Sequence, residues 1–227
     1  MERSLPKRVW YDFLRLLLRI LGVILFAVRC ENRRHIPATG GVLVVSNHQS
    51  HLDPILVGVA VNRRMNYLAR QTLFRFLPFR WLIRSLDAIP IDREGLGLAG
   101  LKETLRRLKR EEMVLIFPEG TRTRDGRVAA LKPGFSVLVK RTGVPLLPVA
   151  IEGAFASWPR WQAFPRLGVI QVQFGRPILP AEAAACDDAQ LVTLVQQRIE
   201  QCHALACQRR RQRCRYERFD SAPNEVH

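Results

Sequence analysis

No stretch of this chain is both long and apolar enough to read as a bilayer span. The most hydrophobic segment, residues 9–28 (VWYDFLRLLLRILGVILFAV), is interrupted by Asp12, Arg15 and Arg19, which leaves Ile20–Val28 as its longest uncharged run. Such a run falls well short of the roughly 20 residues a spanning helix needs. The basic start and apolar run imitate a signal peptide. However, no A-x-A site follows, and Arg29 directly before Cys30 spoils a lipoprotein-type cleavage site. The segment reads as an amphipathic helix lying in a membrane interface, with Trp10, Tyr11 and Phe13 near one end and Arg8, Arg15 and Arg19 reaching headgroups. The alternative is a core-packing helix with a few exposed arginines. The apolar content exceeds what one buried face requires, which favours the membrane.

Cysteine is sparse as well. The five (30, 186, 202, 207 and 214) are odd in number and unpaired in spacing. That excludes a disulfide framework and suits a reduced, cytosol-facing setting. His203, Cys207 and Cys214 share a helix face and offer metal-ligand chemistry, but no C-x-x-C accompanies them, and packing is the simpler role. Acidic residues are few, 20 against 36 basic ones, for a net charge of +16. Lysine is rare too, so the basic character is almost all arginine. Such a charge favours nucleic acid, anionic headgroups or phosphorylated substrates without choosing among them. No RNP, KH, helix-turn-helix or zinc pattern appears, and the arginines are spread along the chain, so no nucleic acid is expected as a partner.

What is present is ordinary for a globular chain: 227 residues, 48% hydrophobic and 25% charged, enough for one sizeable core. Strand-like runs at Val42–Ser46, Met65–Leu68, Ala88–Ile91, Met113–Phe117, Leu146–Ile151 and Val169–Phe174 alternate with helix candidates at Pro54–Val61, Gln71–Ser85, Gly95–Arg110 and Pro133–Thr142. Leu98, Leu101, Leu105 and Leu108 line one side of the third of these. The alternation predicts a single α/β domain with a mostly parallel, helix-flanked sheet. Asp187 or Asp188 caps a long helix to about Arg215 that ends in an Arg-rich stretch. The expected division is an interfacial helix over 1–34, the α/β domain over 35–185, and the Arg-rich helix and tail over 186–227.

Four blocks at strand ends carry the chemistry. Asn47–Asp53 (NHQSHLD) follows the VLVVS strand. Its His48 and Asp53 read either as a base oriented by a carboxylate or as a capping His beside a helix start at Pro54. His48, His51 and Asp53 also form a conceivable metal set, which would suggest a hydrolase. Phe117–Arg122 (FPEGTR) follows the MVLI strand, with Gly120 for a tight turn and Glu119 and Arg122 as acceptor and anion fork, or as an ordinary surface ion pair. AIPIDR (88–93) puts Asp92 and Arg93 past a strand, and VPLLPV (144–149) reads by itself as a proline-bracketed edge strand.

In order and spacing, the four blocks together resemble the glycerolipid acyltransferases, the 1-acylglycerol-3-phosphate acyltransferase family, with its NHxxxxD, (I/V)PIDR-like, FPEGTR and VPxxPV motifs. The resemblance runs from about Gly41 to Gly153 and touches LARQTLF at 68–74. Thr123 stands where the family often has Ser, and Arg70 where Lys is common. The resemblance implies transfer of a fatty acyl group from an acyl-CoA or acyl carrier protein thioester to the sn-2 hydroxyl of lysophosphatidate, giving phosphatidate, without a metal or other cofactor. It implies His48 as general base and Asp53 as its orienting partner. Arg122 would grip the acceptor phosphate, and Glu119 would bond the glycerol part or brace Arg122. Gly120 and Thr121 lie in the same turn; Arg70, Arg93 and Lys132 are further phosphate candidates, and Asn47 holds the loop or meets substrate. It also implies a peripheral, monotopic place on the cytoplasmic face of the cell membrane, against anionic lipid. Another lysophospholipid or a lyso-aminolipid is the alternative acceptor.

Overall fold

The computed structural model describes residues 5–70, 88–91 and 97–220, with side chains described over 9–68 and 99–215. The strands are β1 (Arg29–Glu31), β2 (Val42–Ser46), β3 (Met65–Arg70), β4 (Ala88–Ile91), β5 (Met113–Ile116), β6 (Leu146–Glu152) and β7 (Gln171–Phe174). They form one seven-stranded sheet in the order β1-β7-β6-β2-β5-β3-β4. Every neighbouring pair is parallel except β6–β7. The expected α/β architecture is therefore present. The helix expected over 71–85 lies outside the described residues.

The helices are α1 (Leu5–Phe26), α2 (Asp53–Ala60), α3 (Gly97–Lys109), α4 (Ser136–Thr142), the short α5 (Ala154–Ser157) and α6 (Pro180–Ala184), and α7 (Asp188–Asp220). Strand β2 is apolar up to its last residue, Ser46, because both of its faces are covered. Val42 and Val44 pack with Phe26, Leu56, Val57 and Ala60 on one side. Leu43 and Val45 pack with Leu108, Leu138, Val139, Leu191, Val195 and Ile199 on the other. The last three belong to α7 and recur at helical spacing, which seats that helix along the sheet. Asp187 is its cap: the Asp187 N–H donates to Gln190 Oε1 at 2.9 Å, and Asp187 Oδ1 accepts from the Gln190 N–H at 2.8 Å.

Two expectations are corrected. VPLLPV is not an edge strand; β6 lies inside the sheet, between β7 and β2. Pro148 is tolerated there because its carbonyl, which accepts from the Gly175 N–H at 2.8 Å, faces β7. Its missing N–H therefore points the same way, just where the antiparallel pairing with β7 begins at Val149.

The second correction concerns α1. Arg15 and Arg19 do not reach outward to headgroups. Tyr11 and Leu14 are buried, and Arg15, Leu18, Arg19 and Gly22 half-buried, along one helical stripe. Arg19 donates from Nε to the Val59 carbonyl at 2.5 Å, and from Nη2 to Val61 O and Asn62 Oδ1, both at 2.9 Å. It thus satisfies carbonyls at the end of α2 that no intrahelical donor reaches. The exposed face is apolar instead: Val9, Trp10, Phe13, Leu16, Leu17, Ile20, Leu21, Val23, Ile24 and Leu25. Among the described residues, no helix is long and apolar enough to cross a membrane.

Gly58 on α2 marks a close approach to β3, since a Cβ there would lie 1.8 Å from the Tyr67 hydroxyl oxygen and 2.9 Å from its ring. Gly58→Ala is therefore expected to lower stability by about 1–3 kcal/mol despite alanine's better helix propensity. A lower denaturant midpoint would show it.

Candidate active site

The C-terminal ends of β2 and β5 lie side by side, with Val45 opposite Ile116. In an open parallel sheet this is where ligand crevices form. The loop after β2 carries Asn47–His48 and the loop after β5 carries Phe117–Arg122, so the tertiary structure joins blocks about seventy residues apart in sequence. His48 Nδ1 bonds Asp53 Oδ2 at 2.8 Å. The same oxygen accepts from the backbone N–H of Gln49 at 2.5 Å and of Ser50 at 2.7 Å. Asp53 is fully buried in the first turn of α2, where the helix dipole favours its charge. It is both a helix-start residue and the partner of His48. The His48 ring stacks on Phe117, centroids 4.1 Å apart and planes at 18°. That leaves one ring nitrogen, Nε2, on the side away from Asp53.

The second loop grips the backbone of His48 on both sides. Glu119 Oε1 accepts the His48 N–H at 3.0 Å, and the Thr123 N–H donates to the His48 carbonyl at 2.8 Å. Glu119 is buried, and through its bond to the His48 N–H it braces the histidine loop. Burial pushes its carboxyl up to about 7, against the lowering pull of the His48 N–H hydrogen bond. Gly120 takes φ +73°, and a Cβ there would meet Lys132 Nζ at 3.0 Å; the lysine lies over the turn. The Arg122 guanidinium meets His51 Nε2. Burial first, then the Arg122 charge, holds His51 below its ordinary value. A cation already faces His51, which disfavours the His48/His51/Asp53 metal set.

Asn47 is buried. Its Nδ2 donates to Ile151 O at 2.9 Å and its Oδ1 accepts the Ile151 N–H at 2.8 Å. Its amide bonds both polar groups of Ile151, which ties the loop to β6. Arg70 ends β3 at the same edge of the sheet. Its side chain, and Asp92 and Arg93 altogether, lie outside the described residues.

Residues 27–152, from just before β1 to the end of β6, match the protein family described as Acyltransferase. The chain belongs to that family. It is 27% identical over 175 residues to the 1-acyl-sn-glycerol-3-phosphate acyltransferase of Bacillus subtilis, covering 77% of this chain and 85% of that one. It is 34% identical over 181 residues to the enzyme of the same name from Pseudomonas aeruginosa, covering 76% and 66%. Its fold is like that of the crystal structure of the LPA acyltransferase PlsC from Thermotoga maritima, with a TM-score of 0.77 at 24% identity over 88% of this chain and 82% of that one.

Sequence reasoning overlooked several residues that shape this acyltransferase site. Phe117, quoted only as part of a motif, is the platform under His48. Gln49, a variable position inside NHxxxxD, ties the loop down. Its Nε2 donates to Gly126 O at 2.7 Å and Glu152 Oε2 at 3.2 Å, and its Oε1 accepts from the Phe155 N–H at 3.3 Å. Glu152 in turn pairs with His203 at 3.1 Å and Arg210 at 3.2 Å. Burial alone would raise Glu152, but the His203 and Gln49 hydrogen bonds and the nearby charges bring it below its ordinary value. The sequence signal for this network is His203 and Cys207, at helical spacing with Cys214. Glu152, His203 and Cys207 do place ligand-type atoms within 4.8 Å of one another. The Arg210 guanidinium already supplies the cation at that carboxylate, so the cluster reads as an ion-pair network bracing the His48 loop against α7.

The Arg-rich end of α7 is engaged likewise. Arg209 pairs with Glu31 at 2.8 Å. Arg210 donates to Val169 O at 2.8 Å and Arg213 to Ile170 O at 3.3 Å and to Ala27 O. These arginines fasten α7 to the β1–β7 edge.

Proposed function

We propose that the chain transfers a fatty acyl group from an acyl thioester, acyl-CoA or acyl carrier protein, to the sn-2 hydroxyl of 1-acyl-glycerol-3-phosphate, giving phosphatidate. The observation that carries this reading is the buried Asp53 holding His48 beside the turn that bears Arg122. The hydroxyl oxygen attacks the thioester carbonyl while its proton passes to His48 Nε2. Asp53 stabilises the imidazolium that forms. Collapse of the tetrahedral intermediate breaks the C–S bond, and the proton returns from His48 to the leaving thiolate. No acyl-enzyme and no cofactor is called for.

Arg122 is the first choice for the acceptor phosphate, because its guanidinium presents a planar fork at the rim of the site. Lys132, over Gly120, is the second cation, with Thr121 in the same exposed turn; Arg70 and Arg93 stand as further candidates. Such a lipid acceptor lies in a bilayer. The apolar outer face of α1 and the net charge of +16 suit a peripheral place on an anionic, cytoplasmic leaflet. In this division of labour, residues 1–34 anchor, 35–185 catalyse, and the helix and tail over 186–227 brace.

Acyl transfer to lysophosphatidate in detergent micelles tests the reading, with each donor in turn. Arg122→Ala is expected to raise the KM for lysophosphatidate roughly 10- to 100-fold, as the loss of a charged hydrogen-bonding pair would, with a smaller change in kcat. An unchanged KM would remove Arg122 from the phosphate site. A folded wild type inactive with both donors would overturn the acceptor assignment, and the same assay on other lysophospholipids and lyso-aminolipids would follow.

A further inference from the structure

The surface carries a second apolar feature besides α1. Residues 158–168 (WPRWQAFPRLG) connect α5 to β7 and expose Trp161, Phe164 and Leu167 at 64%, 79% and 76%. Large apolar side chains rarely cluster so far out of a soluble surface without a partner. We propose that this segment inserts into the surface of an anionic phospholipid bilayer and forms, with the outer face of α1, one lipid-facing rim around the active site. The proposal deepens the membrane reading above and rests on it for the location of the acceptor.

Four observations support it. The segment has a definite shape: Trp158 Nε1 donates to Gln162 O at 2.9 Å, Arg166 N–H to Ser157 O at 2.7 Å and Gln162 Nε2 to Phe164 O at 2.7 Å, and Trp161 packs edge-on to Phe155 at 5.5 Å. The apolar tips are thus held outward by the fold. Its far end is joined to the anchor helix, since the N–H groups of Gly168 and Ile170 donate to Leu25 and Phe26 carbonyls in the last turn of α1. Its near end is joined to the catalytic loop: Ser50 Oγ donates to Trp158 O at 2.7 Å, and the His51 ring lies 5.2 Å from the Trp158 ring. The segment therefore bridges the helix that would lie in lipid and the loop that carries His48. Finally, the charge is of one sign. Exposed Arg160 and Arg166 alternate with the apolar tips, and no Asp or Glu occurs from 153 to 181. Aromatic and aliphatic tips interleaved with arginine match an interface that is apolar below and anionic above.

The test uses the full chain with Trp161, Phe164 and Leu167 all replaced by serine. Those side chains are exposed, so an unchanged melting temperature is expected. Partitioning onto mixed phosphatidylcholine–phosphatidylglycerol vesicles, read by co-sedimentation, should fall by about tenfold or more, since interfacial binding scales with apolar area buried. Transfer to lysophosphatidate embedded in those vesicles should fall by a similar factor, while transfer to a short-chain lysophosphatidate dispersed as monomer should stay near wild type. Replacing Arg160 and Arg166 by glutamine should erode the preference for anionic over pure phosphatidylcholine vesicles by roughly fivefold per arginine. Wild-type partitioning by the serine variant would overturn the proposal. So would loss of self-association in that variant with vesicle binding intact, which would make the surface a contact between two copies of the chain. A wild type that transfers no acyl group to either form of lysophosphatidate would defeat the acceptor assignment. The vesicle measurement would still decide the insertion.

Discussion

His48→Ala is expected to lower kcat by about 10²–10⁴-fold, the span a positioned general base commonly supplies, with little change in the KM for lysophosphatidate. Steady-state transfer from acyl-CoA reads the effect. The substitution removes the ring's bond to Asp53 and its stack on Phe117 but should leave the fold in place, because the His48 backbone stays bonded to Glu119 and Thr123 and Asp53 Oδ2 keeps the Gln49 and Ser50 N–H groups. Asp53→Asn is the companion variant. It keeps an oxygen to accept the Gln49 and Ser50 N–H groups that Asp53 Oδ2 now accepts, but removes the charge that stabilises the imidazolium, so kcat should fall again with the melting temperature little changed. Activity within tenfold of wild type in His48→Ala would remove the base from the mechanism.

The other large effect is a pH dependence of stability centred on Glu119. Burial raises its carboxyl from about 4.5 to about 7. The folded state therefore holds a proton that the unfolded chain releases near pH 4.5. The corresponding stability is fully present below that pH, is lost as the pH rises towards 7, and stays lost above it. A shift of this size corresponds to at most about 3 kcal/mol. Glu119→Gln is neutral at every pH and keeps an acceptor for the His48 N–H. Its melting temperature should match wild type near pH 5 and exceed it near pH 8. Parallel curves for the two proteins from pH 5 to 8 would contradict the assignment. Glu119 Oε2 has no hydrogen-bond partner among the described residues. A buried, unsatisfied carboxylate behind His48 is a stability cost of the kind functional sites carry.

Much of this arrangement was legible in the order of residues. The β2 run Val42–Val45 has the continuous apolar pattern of a strand buried on both faces, and the strand at Ala88–Ile91 has the expected limits. The His48–Asp53 spacing suits a strand-to-helix turn, and the structure closes it at 2.8 Å. The capping of α7 was readable as one of two adjacent aspartates. Other elements left no such trace. The three residues of β1, Arg-Cys-Glu, have no apolar run, and only pairing with β7 makes them a strand. The same limit applied to α1. Periodicity showed an apolar helix but not which way it turns, and Arg19 faces inward because the end of α2 needs donors there.

The proposed chemistry of this protein is local in its sequence: a base, its carboxylate, a glycine turn and an anion fork, each written in a short block whose spacing follows from backbone geometry. What joins the blocks is not local. Glu119 reaches the His48 backbone across 71 positions, and Gln49 reaches Glu152 across 103. Partners so far apart meet only because parallel pairing sets the ends of β6, β2 and β5 side by side. Hydrogen bonds and burial act through distance in space, on which sequence separation carries almost no information. The motifs could therefore be read before the fold was known. Three things could not: the brace behind the histidine, the inward arginine of α1, and the apolar rim shared by α1 and residues 158–168.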